Sequence, residues 1–274
     1  MIFDFHAHAF PDALAERSVA YLAAKAGIEH YADGTVKGLA EAAKRGGAQG
    51  ALVLPVVTKP SQFASVNAFA KRINDGEFDA FGVTLRSFGG IHPNSEDPVG
   101  ELEKIKEMGL KGVKLHPDYQ QTFIDDPKNL RIIEKAAELG LLVSVHAGLD
   151  LGFPECTHCT PARAKNMLHL TGAENVILAH MGGFGMWEEV FDLLTGEKVF
   201  FDTGVVARYM DKKVATAIVR AHGAERVLFA TDSPWASFED SVAFVEALDL
   251  TEEDKKKIFG ENAVKLLGLN YDLQ

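Results

Sequence analysis

Two histidines stand one residue apart near the start of the chain, in Ile2-Phe3-Asp4-Phe5-His6-Ala7-His8. Neutral imidazole is a common ligand for divalent metals, so a His-x-His pair is half of a metal site if the chain supplies further donors. Donors recur at the ends of four short apolar runs: Gly112-Val113-Lys114-Leu115-His116, Leu142-Val143-Ser144-Val145-His146, Val176-Ile177-Leu178-Ala179-His180 and Val227-Leu228-Phe229-Ala230-Thr231-Asp232. A metal with an open coordination position lowers the pKa of bound water to about 7 and polarises a carbonyl oxygen, which is hydrolytic chemistry. The same ion can instead anchor the carboxylate or hydroxyl of an acid that loses carbon dioxide. The same residues serve both schemes.

Elements must bring these donors together. Phe3, Phe5 and Ala7 alternate with Asp4, His6 and His8, the period of a strand, which places the polar set on the enclosed face. The four donor-tipped runs are strand-like in length and β-branched content. Three further runs, Gly50–Pro55, Phe78–Thr84 and Lys198–Thr203, bring the count to eight. Between the strands lie helical patterns over 12–25, 60–74, 101–108, 127–139, 161–170 and 211–222, and 251–267 reads as two closing helices. Strict alternation of strand and helix implies an α/β chain with a parallel sheet, and eight repeats imply closure into a (β/α)8 TIM barrel of one domain over residues 1–274. Active sites of such barrels lie at the carboxyl ends of the strands, where the donors fall. Asp4 is expected to orient a ligand imidazole rather than bind metal.

Composition narrows the function. A formal net charge of −11 and the absence of a Lys/Arg cluster argue against a nucleic-acid partner. No run is long enough to span a membrane and the start lacks a signal-peptide pattern, so a cytoplasmic enzyme with a small-molecule substrate is expected, with a homodimer the commonest assembly. Cys156 and Cys159 form a single Cys-x-x-Cys without a second pair and read as loop thiols at the mouth of the site. His30, His92, His169 and His222 lie away from strand ends and read as structural. Arg86, Arg163 and Arg208 fall in or just beyond βα loops, where a guanidinium can clamp a substrate carboxylate; Arg208 is the first choice.

The ordered set His6-x-His8, Lys114-Leu115-His116-Pro117, Val145-His146-Ala147-Gly148, Ala179-His180-Met181-Gly182-Gly183, Ala230-Thr231-Asp232-Ser233-Pro234-Trp235 and Gly260-Glu261-Asn262-Ala263 resembles the amidohydrolase superfamily. More narrowly, it resembles the amidohydrolase-related branch that includes the aminocarboxymuconate-semialdehyde and resorcylate decarboxylases. The resemblance runs from Phe3 to Leu267. It implies one divalent metal, usually zinc with manganese as the other choice, held by His6, His8, His146 and Asp232. It makes His180 the acid/base or electrostatic partner. On chemical grounds Asp232 is the expected base for the proton of water, and His116 either faces the substrate or hydrogen-bonds a loop. Binuclear members bridge two metals with a carboxylated lysine or a glutamate on the fourth strand. Lys114 stands two residues before His116, short of that strand's end, which favours one metal and leaves a second open. TatD-type deoxyribonucleases share the His-x-His, the Gly90-Ile91-His92-Pro93 element and the Thr-Asp-Ser-Pro ending, but expect a fourth-strand glutamate that this chain lacks. The expected activity is hydrolysis of an amide, lactone or ester of a small cyclic or aromatic acid. Non-oxidative decarboxylation is the alternative, with a nuclease or a non-catalytic binding barrel behind both.

Overall fold

The computed structural model describes residues 1–269. Nine strand segments all pair in parallel: β1 (Phe3–Ala7), β2 (Gly50–Val53), β3 (Thr84–Ser87), β4 (Gly89–Gly90), β5 (Gly112–Leu115), β6 (Leu142–Val145), β7 (Val176–Leu178), β8 (Phe200–Asp202) and β9 (Val227–Leu228). They form two sheets, β1-β2-β3 and β4 to β9 in order. β3 and β4 are one stretch of chain interrupted at Phe88, the first part pairing with β2 and the second with β5. The circle closes where Phe5 N–H donates to Phe229 O (2.8 Å), Asp232 N–H to His6 O (2.7 Å) and His8 N–H to Ser233 O (2.6 Å). Eight staves result, the (β/α)8 barrel expected. Among the described residues no helix is long and apolar enough to cross a membrane.

Two local expectations are corrected. Phe78–Thr84 is not the third strand; Asp79–Phe81 is a 3-10 turn closed by Gly82 at φ 68°, and the strand begins at Thr84. Phe78 and Phe81 stack on each other with ring centroids 6.1 Å apart instead of alternating across a sheet. The second correction concerns β1, whose register against β2 shifts between Asp4 and Ala7. A bulge of this kind adds a residue and re-aims the side chains that follow it. Phe3 and Phe5 accordingly pack with Leu52, Leu54, Phe88, Leu142, Ile177 and Leu228. Ala7 instead joins Ala51, Val53, Val113 and Val143 in the larger core shared with the helices. The aromatic floor and the histidines above it thus come from one short strand.

The helices sit near their expected places: Asp12–Ala26, Phe63–Asn74, Pro98–Glu107, Pro127–Glu138, Pro161–Thr171 and Lys212–His222. Their starts are fixed by side chains that accept otherwise orphaned N–H groups, Asp97 from Gly100, Thr160 from Arg163 and Asp211 from Lys213 and Val214. Four α-helices, Val36–Arg45, the single turn Pro117–Gln120, Trp187–Leu193 and Phe238–Glu246, have no counterpart in the pattern above. The closing segment runs as Glu252–Lys256, a π-helical turn Lys257–Glu261 and Asn262–Leu267.

Candidate metal centre

β1 and the chain beyond β9 meet at the barrel's closing seam and deliver three donors to one point. His8 Nε2 lies 3.0 Å from Asp232 Oδ1, His6 Nε2 lies 3.2 Å from the same oxygen, and the two Nε2 atoms are 3.3 Å apart. Ligands each about 2.05 Å from a tetrahedral metal are about 3.3 Å from one another. The tautomers sharpen the point. His6 Nδ1 donates to Asp202 Oδ2 at 2.9 Å and His8 Nδ1 donates to Leu54 O at 2.8 Å, because a carboxylate and a carbonyl can only accept. Each neutral ring therefore turns a bare lone pair toward Asp232 Oδ1, itself a buried oxygen without a hydrogen bond. Among the described residues the donor in reach is the Lys114 ammonium, 3.2 Å from His6 Nε2 and 3.4 Å from Ser144 Oγ. It serves His6 and leaves His8 Nε2 and Asp232 Oδ1 facing each other. A divalent cation satisfies all three atoms, and the residues fit it.

The charges follow from burial. Desolvation lowers His6 to about 4, helped by the Lys114 charge, so the ring is neutral and free to ligate. Burial lowers Lys114 to about 8, against the pull of Asp202 and Asp232. Burial would raise Asp232, but the neighbouring His6 and His8 imidazoles hold its carboxyl below the usual carboxylate range. Burial likewise opposes ionisation of Asp202, yet its neighbour His6, which hydrogen-bonds it, brings it down to about 2. Its second oxygen accepts the His180 and Gly204 N–H groups at 3.0 and 2.9 Å. Asp202 is thus the carboxylate that orients a ligand imidazole. It went unselected in the sequence although it ends a strand-like run as Asp232 does. Asp4, expected in that role, instead accepts from the His6 and Thr231 N–H groups and the Thr231 hydroxyl, tying β1 to the seam.

His146 stands in a neighbouring group with His116 and Asp150. Its Nδ1 is 3.0 Å from His180 Nε2, while its buried Nε2 has no hydrogen bond and faces Asp118 Oδ2 and Asp150 Oδ2, each 3.9 Å away. His180 Nδ1 donates to Gly204 O at 2.9 Å. The His116 ring stacks on His146 with centroids 4.2 Å apart, and its Nε2 is 3.4 Å from Asp150 Oδ2. Burial, more than the charge of any neighbour, pushes both His116 and His146 well below 6.5. Asp150 is raised to about 6 by burial. It was not singled out in the sequence, although it lies one helical turn's distance beyond His146. His180 and Asp232 adopt left-handed backbone conformations, φ 60° and 62°, which turn the chain sharply at the strand ends.

The six histidine and aspartate side chains His6, His8, His146, Asp150, His180 and Asp232, with His116 and Lys114, line a cavity of about 640 Å³ together with Phe10, Tyr21, Lys25, Tyr119, Phe184 and Trp235. The three expected arginine clamps lie elsewhere. Arg208 is exposed over the Tyr31 ring beside Asp240 and Glu29; Arg163 pairs with Asp125 at 2.7 Å; Arg86 lines a separate polar cavity with Lys44 and Asp79, beside the residues that enter β2 and β3. Cys156 is exposed and Cys159 buried, and neither lines the cavity.

The amidohydrolase family model matches residues 3–269, and the chain belongs to that family. No curated protein matches. Among solved structures, a 5-carboxyvanillate decarboxylase from Novosphingobium aromaticivorans with bound manganese is 14% identical, with 98% of this chain and 97% of that chain covered and a TM-score of 0.71. A 2,6-dihydroxybenzoate decarboxylase is 14% identical over 98% and 99%, with a TM-score of 0.71. A protein described as a 2-pyrone-4,6-dicarboxylic acid hydrolase from Pseudomonas putida is 17% identical over 99% and 98%, with a TM-score of 0.65.

Proposed function

We propose that this chain is a divalent-metal-dependent hydrolase that cleaves an amide, lactone or ester of a small cyclic or aromatic acid. The observation that carries the reading is the convergence of His6 Nε2, His8 Nε2 and Asp232 Oδ1, three acceptor atoms within 3.3 Å at a cavity wall. Zinc is the first choice of ion and manganese the second, with three protein ligands leaving a position open as in catalytic sites. When bound, the ion supplies an acidified water and a Lewis acid for the scissile carbonyl. Asp232, kept ionised, takes the proton of the attacking water. His180 and His146 share a proton between Nε2 and Nδ1 and hold it beside the oxygen on which charge develops. His146 is a fourth ligand only if its ring turns its bare nitrogen from the carboxylates toward the ion. His116 packs as a neutral wall against it.

Decarboxylation is the second reading. It draws support from the decarboxylases with the same fold and from Asp150, which burial keeps able to hold a proton near pH 6 for delivery to carbon. The test is a panel of aryl esters, lactones and hydroxybenzoates assayed with the zinc- and manganese-loaded protein. Turnover of an ester or lactone that chelation removes and added metal restores supports hydrolysis. Release of carbon dioxide without hydrolysis favours the second reading, and full activity in the Asp232→Asn variant refutes both.

A further inference from the structure

Two ammonium groups line the cavity: Lys114, turned to His6, and Lys25, from the Asp12–Ala26 helix; no arginine does. Lys25 is half-buried. Its Nζ lies 3.3 Å from the centre of the Phe153 ring and 4.9 Å from that of Tyr119, and among the described residues it makes no hydrogen bond or ion pair. Aromatic faces hold a cation in place and take some of its water without neutralising it. An anion entering this cavity therefore meets a positioned charge that no carboxylate holds in an ion pair, although it acts at longer range on Asp150, in a chain whose formal net charge is −11.

The cavity wall beyond Lys25 is a run of rings. Tyr119 sets its edge against His116 at 4.7 Å, His116 stacks on His146 at 4.2 Å, His146 meets His180 at 4.8 Å, and His180 stacks on His6 at 5.4 Å. The same cavity gathers Leu14, Tyr21, Leu149, Leu151 and Tyr209, five of the eight large hydrophobic side chains exposed among the described residues. Concentrated exposure of this kind marks a surface that meets an apolar partner.

We propose that Lys25 is the anion clamp of the cavity, binding the carboxylate of an aryl acid larger than a single ring, whose apolar body lies along the ring wall and whose reacting end faces His6, His8 and Asp232. The identity of the reacting end rests on the metal-dependent reading above, whereas the charge preference at Lys25 does not. The probes are 2-naphthoate and its neutral isostere 2-naphthamide, titrated calorimetrically into zinc-loaded and zinc-free wild type, Lys25→Met and Lys25→Arg. Wild type is expected to prefer the carboxylate by about ten- to a hundredfold, the range for a charge-assisted contact. Lys25→Met should erase that preference with naphthamide affinity and zinc content unchanged, and Lys25→Arg should keep most of it. A preference that survives in Lys25→Met, or none in wild type, overturns the proposal. A wild type that holds no zinc yet loses its preference in Lys25→Met sinks the metal reading and leaves the clamp standing.

Discussion

Replacing Asp202 with asparagine changes one atom and should displace the metal without unfolding the barrel. The amide cannot choose its orientation freely. Asp202 Oδ1 accepts two backbone N–H groups, from His180 and Gly204, so in Asp202→Asn the amide oxygen stays there and the NH2 group replaces the oxygen that faces His6 Nδ1. Two donors would then oppose each other at 2.9 Å. His6 escapes by moving its proton to Nε2, which removes the lone pair from the metal position. Loss of an outer carboxylate of this type weakens metal binding by about 10- to 100-fold, or about 1.4 to 2.8 kcal/mol. The assay is zinc competition against a chromophoric chelator at pH 7.5, with nitrogen NMR of the imidazoles to read the tautomer. Zinc affinity within about twofold of wild type, or an unchanged His6 tautomer, would refute the argument that Asp202 sets the ring.

Four further outcomes are expected. Elemental analysis should find about one equivalent of zinc or manganese in His146→Ala and none in His8→Ala, because His146 stands outside the converging triad. Metal-free protein should lose the His6 contribution to stability as pH falls from 6.5 toward 4. His6 has a depressed folded-state pKa, so the unfolded chain takes up the proton first; a shift from 6.5 to about 4 is worth about 3 kcal/mol at 1.36 kcal/mol per pH unit, and denaturant titrations between pH 7.5 and 4.5 in which the difference between wild type and His6→Gln stays flat would contradict it. Gly148→Ala should unfold more easily by more than about 3 kcal/mol, because at φ 86° its Cβ would run into the backbone of Gly183 and Phe184; calorimetry should show a melting point lower by roughly 6 to 12 °C. Arg208→Ala should leave substrate affinity within about twofold, since its guanidinium is exposed outside the cavity, and a larger loss would restore it as a clamp.

The barrel was legible because its strands announce themselves twice, by short β-branched runs and by the polar residue at each carboxyl end. His6, His8, His116, His146, His180 and Asp232 could be picked out by that rule alone. Asp202 obeys the same rule at the end of Phe200-Phe201-Asp202, but a carboxylate declares its partner only when the ring it orients is seen across the barrel. The bulge in β1 was hidden: Asp4, which stands at it, bonds to Thr231, 227 residues away. Strict alternation in the sequence could not report that contact. Arg86, Arg163 and Arg208 were misjudged for a related reason: position in a βα loop fixes neither the direction of a long side chain nor the acid that claims it. Lys25 sits on a helix that reads as ordinary surface, and only the placement of Phe153 and Tyr119 gives it a distinct setting.

The seam between β1 and the last stave joins residues more than two hundred positions apart through a few backbone hydrogen bonds, the pairing of Ala7 with Ser233 and the Asp4–Thr231 side-chain bonds. An ion held by His6, His8 and Asp232 spans that same seam, so it acts as a clasp on a hoop. Closing a loop of that length carries a large entropy loss, and a bond that exists only in the closed form shifts the balance toward it. Removing the ion should therefore loosen the hoop first where its ends meet, making amide exchange at His8 and Asp232 the earliest sign that the barrel has come undone.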